Sequence, residues 1–421
     1  MKNISLKTIY LFSLALLAIT IPIHFRVSLY ALAFVIVMGI IYNITSKIYF
    51  KGILSNKFNI LLILFWVTNL ISLSYSADLS YGLNKIFRMA SIFILPLFIT
   101  FDVDSKNKRK IAIAYIASVT LVLVFFLLRA FYHSLTMENG DYVFNFHNNI
   151  TSYGSFFYYQ EFVNPHHPSY FAMYLTLATV FVLKFYKEAN SVKNKILLIV
   201  LSLFLIAGVV LTSSRAGLLT LVIVLSVDMF WLLNQRGKIV GLISALLIIP
   251  VALYYLSDNP RFKTITTYVK ASVENNTQIK DEYESLVMIR VKMWPIILKD
   301  LNIKEILLGV GLGDTNQRFI QAYKNNNLEY AAATELNAHN QYIQTLVSTG
   351  ILGLLLLLTI IGYGFWFAYN NRDMLLFLFF TIISVNFIFE SMLERIFGVI
   401  FFTFFLLFLS TKPQNQNKQM K

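Results

Sequence analysis

Apolar runs long enough to span a bilayer recur from one end of this chain to the other. Of its 421 residues, 57% are apolar and 13% charged. A soluble domain does not carry that balance. Runs of roughly 20 apolar residues face lipid, and in lipid the backbone must satisfy itself, so they are read as helices. Twelve spans are expected, at 8–23, 28–44, 58–74, 82–101, 111–131, 169–185, 196–212, 217–233, 239–255, 342–369, 374–389 and 396–409. The fold class is all-α, a polytopic integral membrane protein of about 12 transmembrane helices in one membrane domain over residues 1–421. A large helical loop, 256–340, lies between the ninth and tenth spans, and 410–421 form a tail. The first run follows Lys2 and Lys7, as in a signal peptide. No small-residue cleavage site is evident and a second span follows almost at once, so it is kept as a helix.

Charge sets the orientation. With the N-terminus inside, the inner segments hold nineteen basic residues, among them Lys47, Lys51, Lys57, Lys106, Lys108 and Arg109. Outside, apart from the long loop, stand only Arg26, Arg215 and Arg395, and the loop 132–168 has no Lys or Arg. The positive-inside rule places both termini in the cytoplasm. The 256–340 loop holds ten basic and ten acidic residues and is too long for the rule to bind it. The net charge of +14 is therefore a topology signal, and no nucleic-acid partner is expected. The absence of cysteine excludes disulfides, thiolate metal sites and covalent thiol chemistry.

The candidate functional residues lie on the outer side. His339 stands where the long polar loop meets the tenth span, with Asn337 as the expected N-cap. In that first turn the positive end of the helix dipole favours a neutral, proton-accepting imidazole. Arg215, in LTSSRAGLL, sits at or just inside the membrane face, beside Ser213, Ser214, Ala216 and Gly217. An Arg at the bilayer centre costs about 2.5–3.5 kcal/mol and usually faces the protein interior. Its readings are an interfacial anchor or an anion-binding group whose small neighbours admit a bulky ligand. Arg290 shares the apolar face of a helix with Leu286, Val287, Met293 and Trp294, where it needs a partner such as a lipid-linked phosphate. Pro295 is expected to kink that helix or end its regular hydrogen bonding.

Four further features carry alternatives. His166 and His167, in NPHHPSYF, lack a paired carboxylate nearby, so a structural or substrate-contacting role is expected rather than a metal. Lys85 and Arg88 share a helical face and either snorkel to the outer interface or line an open site. Gly309, Gly311 and Gly313 resemble a nucleotide loop but have no strand–loop–helix context, and are read as a tight turn permitting close backbone approach. Glu390 and Glu394 are candidates to pair with Arg215 or Arg290, the alternative being a solvated turn.

The order of TSSRAGLL, MIRVKMW, LLGVGLGD, HNQYIQTLVSTGILGLL and FESMLER resembles the O-antigen ligase and O-antigen polymerase superfamily over about 211–409, and HHPSYF resembles a subset of its members. The resemblance implies a C-type membrane glycosyltransferase of the bacterial inner membrane, its site facing the periplasm. It implies an undecaprenyl-diphosphate-linked glycan as donor and a glycolipid or glycan acceptor, with the lipid bilayer as surroundings. It places the functional residues on Arg215, Arg290 and His339; Ser214, His167 and Glu390 are substrate-binding candidates by their position on the outer side, not by the resemblance. In that chemistry Arg215 and Arg290 clamp the diphosphate leaving group, so neither a cofactor nor a metal is required. Neutral His339 accepts the proton of the attacking hydroxyl, with inversion at the anomeric carbon. A protonated His339 holding phosphate is the competing role. The segment HNQYIQTLVSTGILG after GVGLGD resembles the ligase-type pattern, so a ligase is expected, with a polymerase or a protein O-oligosaccharyltransferase as the alternative. A lipid-linked glycan transporter or flippase is the alternative of another class.

Overall fold

A computed structural model of the chain describes residues 5–47, 56–98, 103–147, 154–232, 289–290 and 292–411. The expected spans that fall among these residues coincide with helix. The ninth, 239–255, and the part of the long loop at 256–288 lie outside them, as does 412–421 of the tail. Among the described residues, six helices are long and apolar enough to cross a membrane, alongside the shorter apolar helices Leu6–Thr20, Met374–Phe389 and Ile396–Ser410. The protein is a multi-pass membrane protein made mostly of helices. Strand appears once among the described residues, as a hairpin of Leu135–Glu138 with Asp141–Phe144. Asn139 (φ 52°) and Gly140 (φ 93°) supply the left-handed pair that a two-residue hairpin turn requires.

The chain folds as two compact units, one of Met1–Val119 with Trp294–Lys421, the other of Thr120–Met293. In the first, Ile396–Ser410 is the core, buried continuously from Gly398 to Ser410. A helix that is apolar all round belongs inside a bundle. Its rings are met from several sides, Phe405 by Tyr115 at 4.8 Å, Phe402 by Phe387 at 5.6 Å and Phe401 by Phe379 at 6.1 Å. The fourth expected span is two helices, Leu79–Arg88 and Ala90–Phe98. The first piece is amphipathic and starts on an Asp78 cap, whose carboxylate accepts from Tyr81 N. The chain leaves helical geometry at Met89 (ψ 1°) before the apolar second piece.

In the second unit, Pro168–Glu188 is central and its neighbours approach closely. A Cβ on Gly217 would stand 2.4 Å from Ala172 Cβ, and one on Gly208 2.6 Å from Leu123 Cδ2. Small residues at such crossings let helix backbones come together without a hydrophobic drive from water.

The described part of the long segment is ordered around two anchors. Helical residues continue on both sides of Pro295, so the helix does not end there. Met293 and Ile297 are buried, as the apolar periodicity requires. Arg318 then gathers the next turn, donating to Asp300 (2.5 Å) and to both carboxylate oxygens of Glu305 (2.8 and 3.0 Å). The Arg318 hydrogen bond holds the Glu305 carboxyl below its ordinary range.

The second anchor is the glycine loop. Gly350 breaks the helix Gln341–Asn370 at φ 68°, ψ −165°. The carbonyls of Val347 and Ser348 accept instead from Val310 N (2.8 Å) and Gly311 N (3.1 Å). Leu312 N and Gly313 N donate to Ser72 Oγ and Ser76 Oγ, both at 3.1 Å. The Asp314 carboxylate takes Ala77 N (2.7 Å) and Asp78 N (2.9 Å). The segment GVGLGD is thus a bracket between the helix break and the turn that follows Lys57–Ile71. A Cβ on Gly350 would stand 2.3 Å from Leu307 O, and one on Gly313 2.1 Å from Asp78 O. The close approach expected of these glycines is what the structure has. The amides that a nucleotide phosphate would need are spent on protein.

Gly350→Ala combines a left-handed residue, about 1–2 kcal/mol for an L side chain, with that backbone clash. Its thermal unfolding midpoint in detergent is expected to fall well below the natural protein's. Gly362→Ala, whose added methyl meets nothing within 4 Å, is expected to leave the midpoint in place. Equal midpoints for the two variants would contradict the bracket.

Candidate active site

His339 is held before its helix, not in it. The expected cap was Asn337; the structure uses Asn340. Asn340 is extended (φ −154°, ψ 114°), and its Oδ1 accepts from Tyr342 N (3.0 Å) and Ile343 N (3.1 Å), two of the free amides of a helix start. Asn337 Oδ1 is occupied two residues on, by His339 N at 2.9 Å. His339 itself is left-handed, at φ 44°. That conformation is uncommon for a residue with a Cβ, though His tolerates it better than most. Trp294 fixes the approach by donating from Nε1 to Ala338 O at 2.9 Å. The dipole argument for a neutral ring therefore weakens, because the imidazole stands outside the first turn.

What faces the ring is a carboxylate. Met374–Phe389 ends at Glu390, which turns extended (φ −144°, ψ 140°). Its Oε2 lies 3.3 Å from His339 Nδ1, with 8% of the Glu390 side chain and 22% of the His339 side chain exposed. Gln341 Oε1, from the first turn of the His339 helix, accepts from Leu393 N at 2.7 Å and ties down the same turn. Glu394 pairs with Lys85 at 2.8 Å, and only 3% of Lys85 is exposed. Lys85 Nζ also sits 4.9 Å from the centre of the Tyr81 ring. So the turn at Glu390–Arg395 is not simply solvated, Glu394 meets Lys85 rather than an arginine, and Lys85 does not snorkel. Arg88, one turn on, is exposed. Three-residue spacing put both cations near one face, but only Lys85 has an acid waiting in the interior.

The second unit gathers another group of the predicted residues. Ser214 precedes the helix Arg215–Leu232, and its Oγ accepts from Gly217 N at 3.1 Å. Ser213 before it is left-handed at φ 50°. Arg215 is thereby the first helical residue, partly buried, at the positive end of the helix. Ser214 Oγ donates to Ser169 Oγ at 3.3 Å. Ser169 N in turn donates to His167 Nδ1 at 3.4 Å, which makes His167 the cap of Pro168–Glu188. The motifs TSSRAG and HHPSYF, 45 residues apart at these serines, therefore meet. His166 is buried and stacks at 5.9 Å on Phe171, with Phe126 edge-on at 5.8 Å. His166 is thus packed among rings, whereas His167 caps a helix.

Arg129 went unnoticed in the sequence. It donates to the carbonyls of Asn164, Glu161 (2.5 Å) and Phe162 (3.0 Å), closing the end of the short helix Tyr159–Val163 below the HHPSYF motif. An Arg near the outer end of a long apolar run was the available signal. Arg290 is helical and partly buried, four residues ahead of Trp294. His339 and Glu390 thus belong to the first unit, and Arg215, Ser214 and His167 to the second. Among the described residues, no group of three or more His, Cys, Asp or Glu is placed to hold a metal ion.

Residues 200–358 match the O-Antigen ligase family. The match supports the resemblance to the O-antigen ligase and polymerase superfamily read from the motifs, and with it enzyme status of the membrane glycosyltransferase type. Arg215, Arg290 and His339 all fall inside the matched stretch, whereas Lys85, His167, Glu390 and Glu394 fall outside it. No curated protein matches the chain.

Lys85→Met strands the Glu394 carboxylate, and removing one partner of a buried pair costs about 3–5 kcal/mol. The unfolding midpoint of this variant is expected to drop, while Arg88→Met leaves it near the natural value. A Lys85→Met protein as stable as the natural one would remove the ion pair from the account.

Proposed function

We propose that this protein is an O-antigen ligase-like glycosyltransferase. It moves a glycan from undecaprenyl diphosphate to an acceptor hydroxyl at the periplasmic face of the inner membrane, with a lipid A core sugar as the favoured acceptor. The observation that carries the reading is a half-buried imidazole, inside the segment that matches the O-antigen ligase family, held in a strained turn against a buried carboxylate. Strained, over-determined backbone of this kind concentrates at functional sites.

The donor's anomeric carbon is bonded to a diphosphate, a leaving group that needs charge neutralisation and no protonation. Arg215 and Arg290 neutralise its oxygens, and a planar guanidinium does this bidentately. Ser214 and His167, tied together through Ser169, bind substrate next to Arg215. His339 takes the proton of the attacking hydroxyl, a role worth about 10²–10⁴ in rate. Attack opposite the diphosphate inverts the anomeric configuration.

Deletion followed by a gel of surface glycan tests the class of reaction. Polymer kept on the lipid carrier but lost from the core supports the ligase. Single repeats on the core point to a polymerase, and unaltered surface glycan contradicts both. In the complemented strain, Arg215→Lys and Arg290→Lys are each expected to lose roughly 10²-fold or more in transfer, the scale of one lost transition-state donor. Near-normal transfer by either would sink the clamp.

A further inference from the structure

We propose that Glu390 is a positioning residue for His339, acting through the ring nitrogen that does not meet substrate. This rests on the reading of His339 as the base. Glu390 Oε2 stands 3.3 Å from Nδ1, so it accepts the Nδ1 proton and fixes the neutral imidazole in the tautomer whose Nε2 is bare. A base needs that bare nitrogen. When the acceptor oxygen attacks the anomeric carbon, its proton passes to Nε2, the carbon–oxygen bond to the diphosphate breaks, and the electron pair leaves with the phosphate. The imidazolium so formed is stabilised by the carboxylate at Nδ1, and its proton later passes to water. The same division of labour is used by other histidine bases oriented by an acid.

Three features of the structure support the assignment. First, the Glu390 side chain is nearly buried, so it is ordered toward the ring rather than toward water. Second, both ends of the contact are fixed. His339 N is held by Asn337 Oδ1 and Ala338 O by the Trp294 indole, while Glu390 N donates to Asn386 O at 2.8 Å and Leu393 N to Gln341 Oε1. Third, the charged residues that follow on the same turn are placed elsewhere: Glu394 pairs with Lys85, and Arg395 is exposed. The substrate-binding role expected of Glu390 from sequence gives way to this one because its oxygen is turned to the base.

The test is a ¹⁵N NMR reading of the tautomer in full-length protein in lipid nanodiscs, labelled with ¹⁵N-histidine, the His339 signals identified by their loss in His339→Asn. The natural protein is expected to show neutral His339 with Nδ1 protonated and Nε2 bare. In Glu390→Gln the ratio of the Nδ1-protonated to the Nε2-protonated tautomer is expected to fall about tenfold, because a neutral amide accepts more weakly than a carboxylate. Transfer in membranes of the deletion strain, which contain both donor and acceptor, is expected to fall about 10²-fold or more, with part restored in Glu390→Asp. A natural protein whose neutral ring carries its proton on Nε2 overturns the proposal without any variant. So does Glu390→Gln with an unmoved tautomer ratio. If instead His339→Asn transfers glycan at the natural rate, the base reading fails, whatever the ring signals show.

Discussion

A helix broken within an apolar span leaves carbonyls that lipid cannot satisfy, and much of the first unit follows from how this debt is met. Gly350 lies nine residues into Gln341–Asn370, roughly 14 Å along the helix. The loop 309–314 comes in to donate to Val347 and Ser348, and with its remaining amides and Asp314 it grips the turn 72–78. The helix Leu79–Arg88 is drawn in as well, since a Cβ on Gly82 would stand 3.2 Å from Gly313 Cα. Lys85 is one turn further along that helix. It meets Glu394, on the turn whose first residue, Glu390, faces His339. The break, the loop, the buried lysine and the imidazole form one connected chain of contacts.

Charge inside the protein obeys the same logic. Lys85 and Lys187 are paired, with Glu394 and Asp228. Arg129 is spent on three carbonyls at a helix end. Each pairing avoids leaving a lone charge in a poorly solvated place, where it costs several kcal/mol. The left-handed turns at Ser213 and His339 stand directly before helices, each next to a functional candidate. Both are non-glycine residues in a conformation that favours glycine, so the surrounding contacts must hold them there.

The apolar runs made the helices legible, because length and lipid leave one secondary structure to choose. The glycine loop was readable as a close approach but not as a bracket, since its partners, Ser72, Ser76 and Val347, lie far away in sequence. The Asn-Gly pair at 139–140 carries its hairpin turn signal openly in the sequence. The cap moved from Asn337 to Asn340 because two asparagines flank His339 at nearly equal promise, and only backbone geometry decides between them. Arg215, Arg290 and His339 stood out as charged or titratable groups in apolar settings. What sequence spacing could not supply was which groups meet: Glu390 with His339, Lys85 with Glu394, Ser169 with Ser214.

The central claim is that lipid-linked glycan is broken from its diphosphate here, with His339 taking the proton. The most direct measurement uses purified full-length protein in lipid vesicles supplied with acceptor and with lipid-linked glycan extracted from a strain lacking it. Undecaprenyl diphosphate is predicted to appear in step with glycan on the acceptor, and His339→Asn to stop both. Intact lipid-linked glycan moved to the other leaflet with no diphosphate released would contradict the account and make this a transporter.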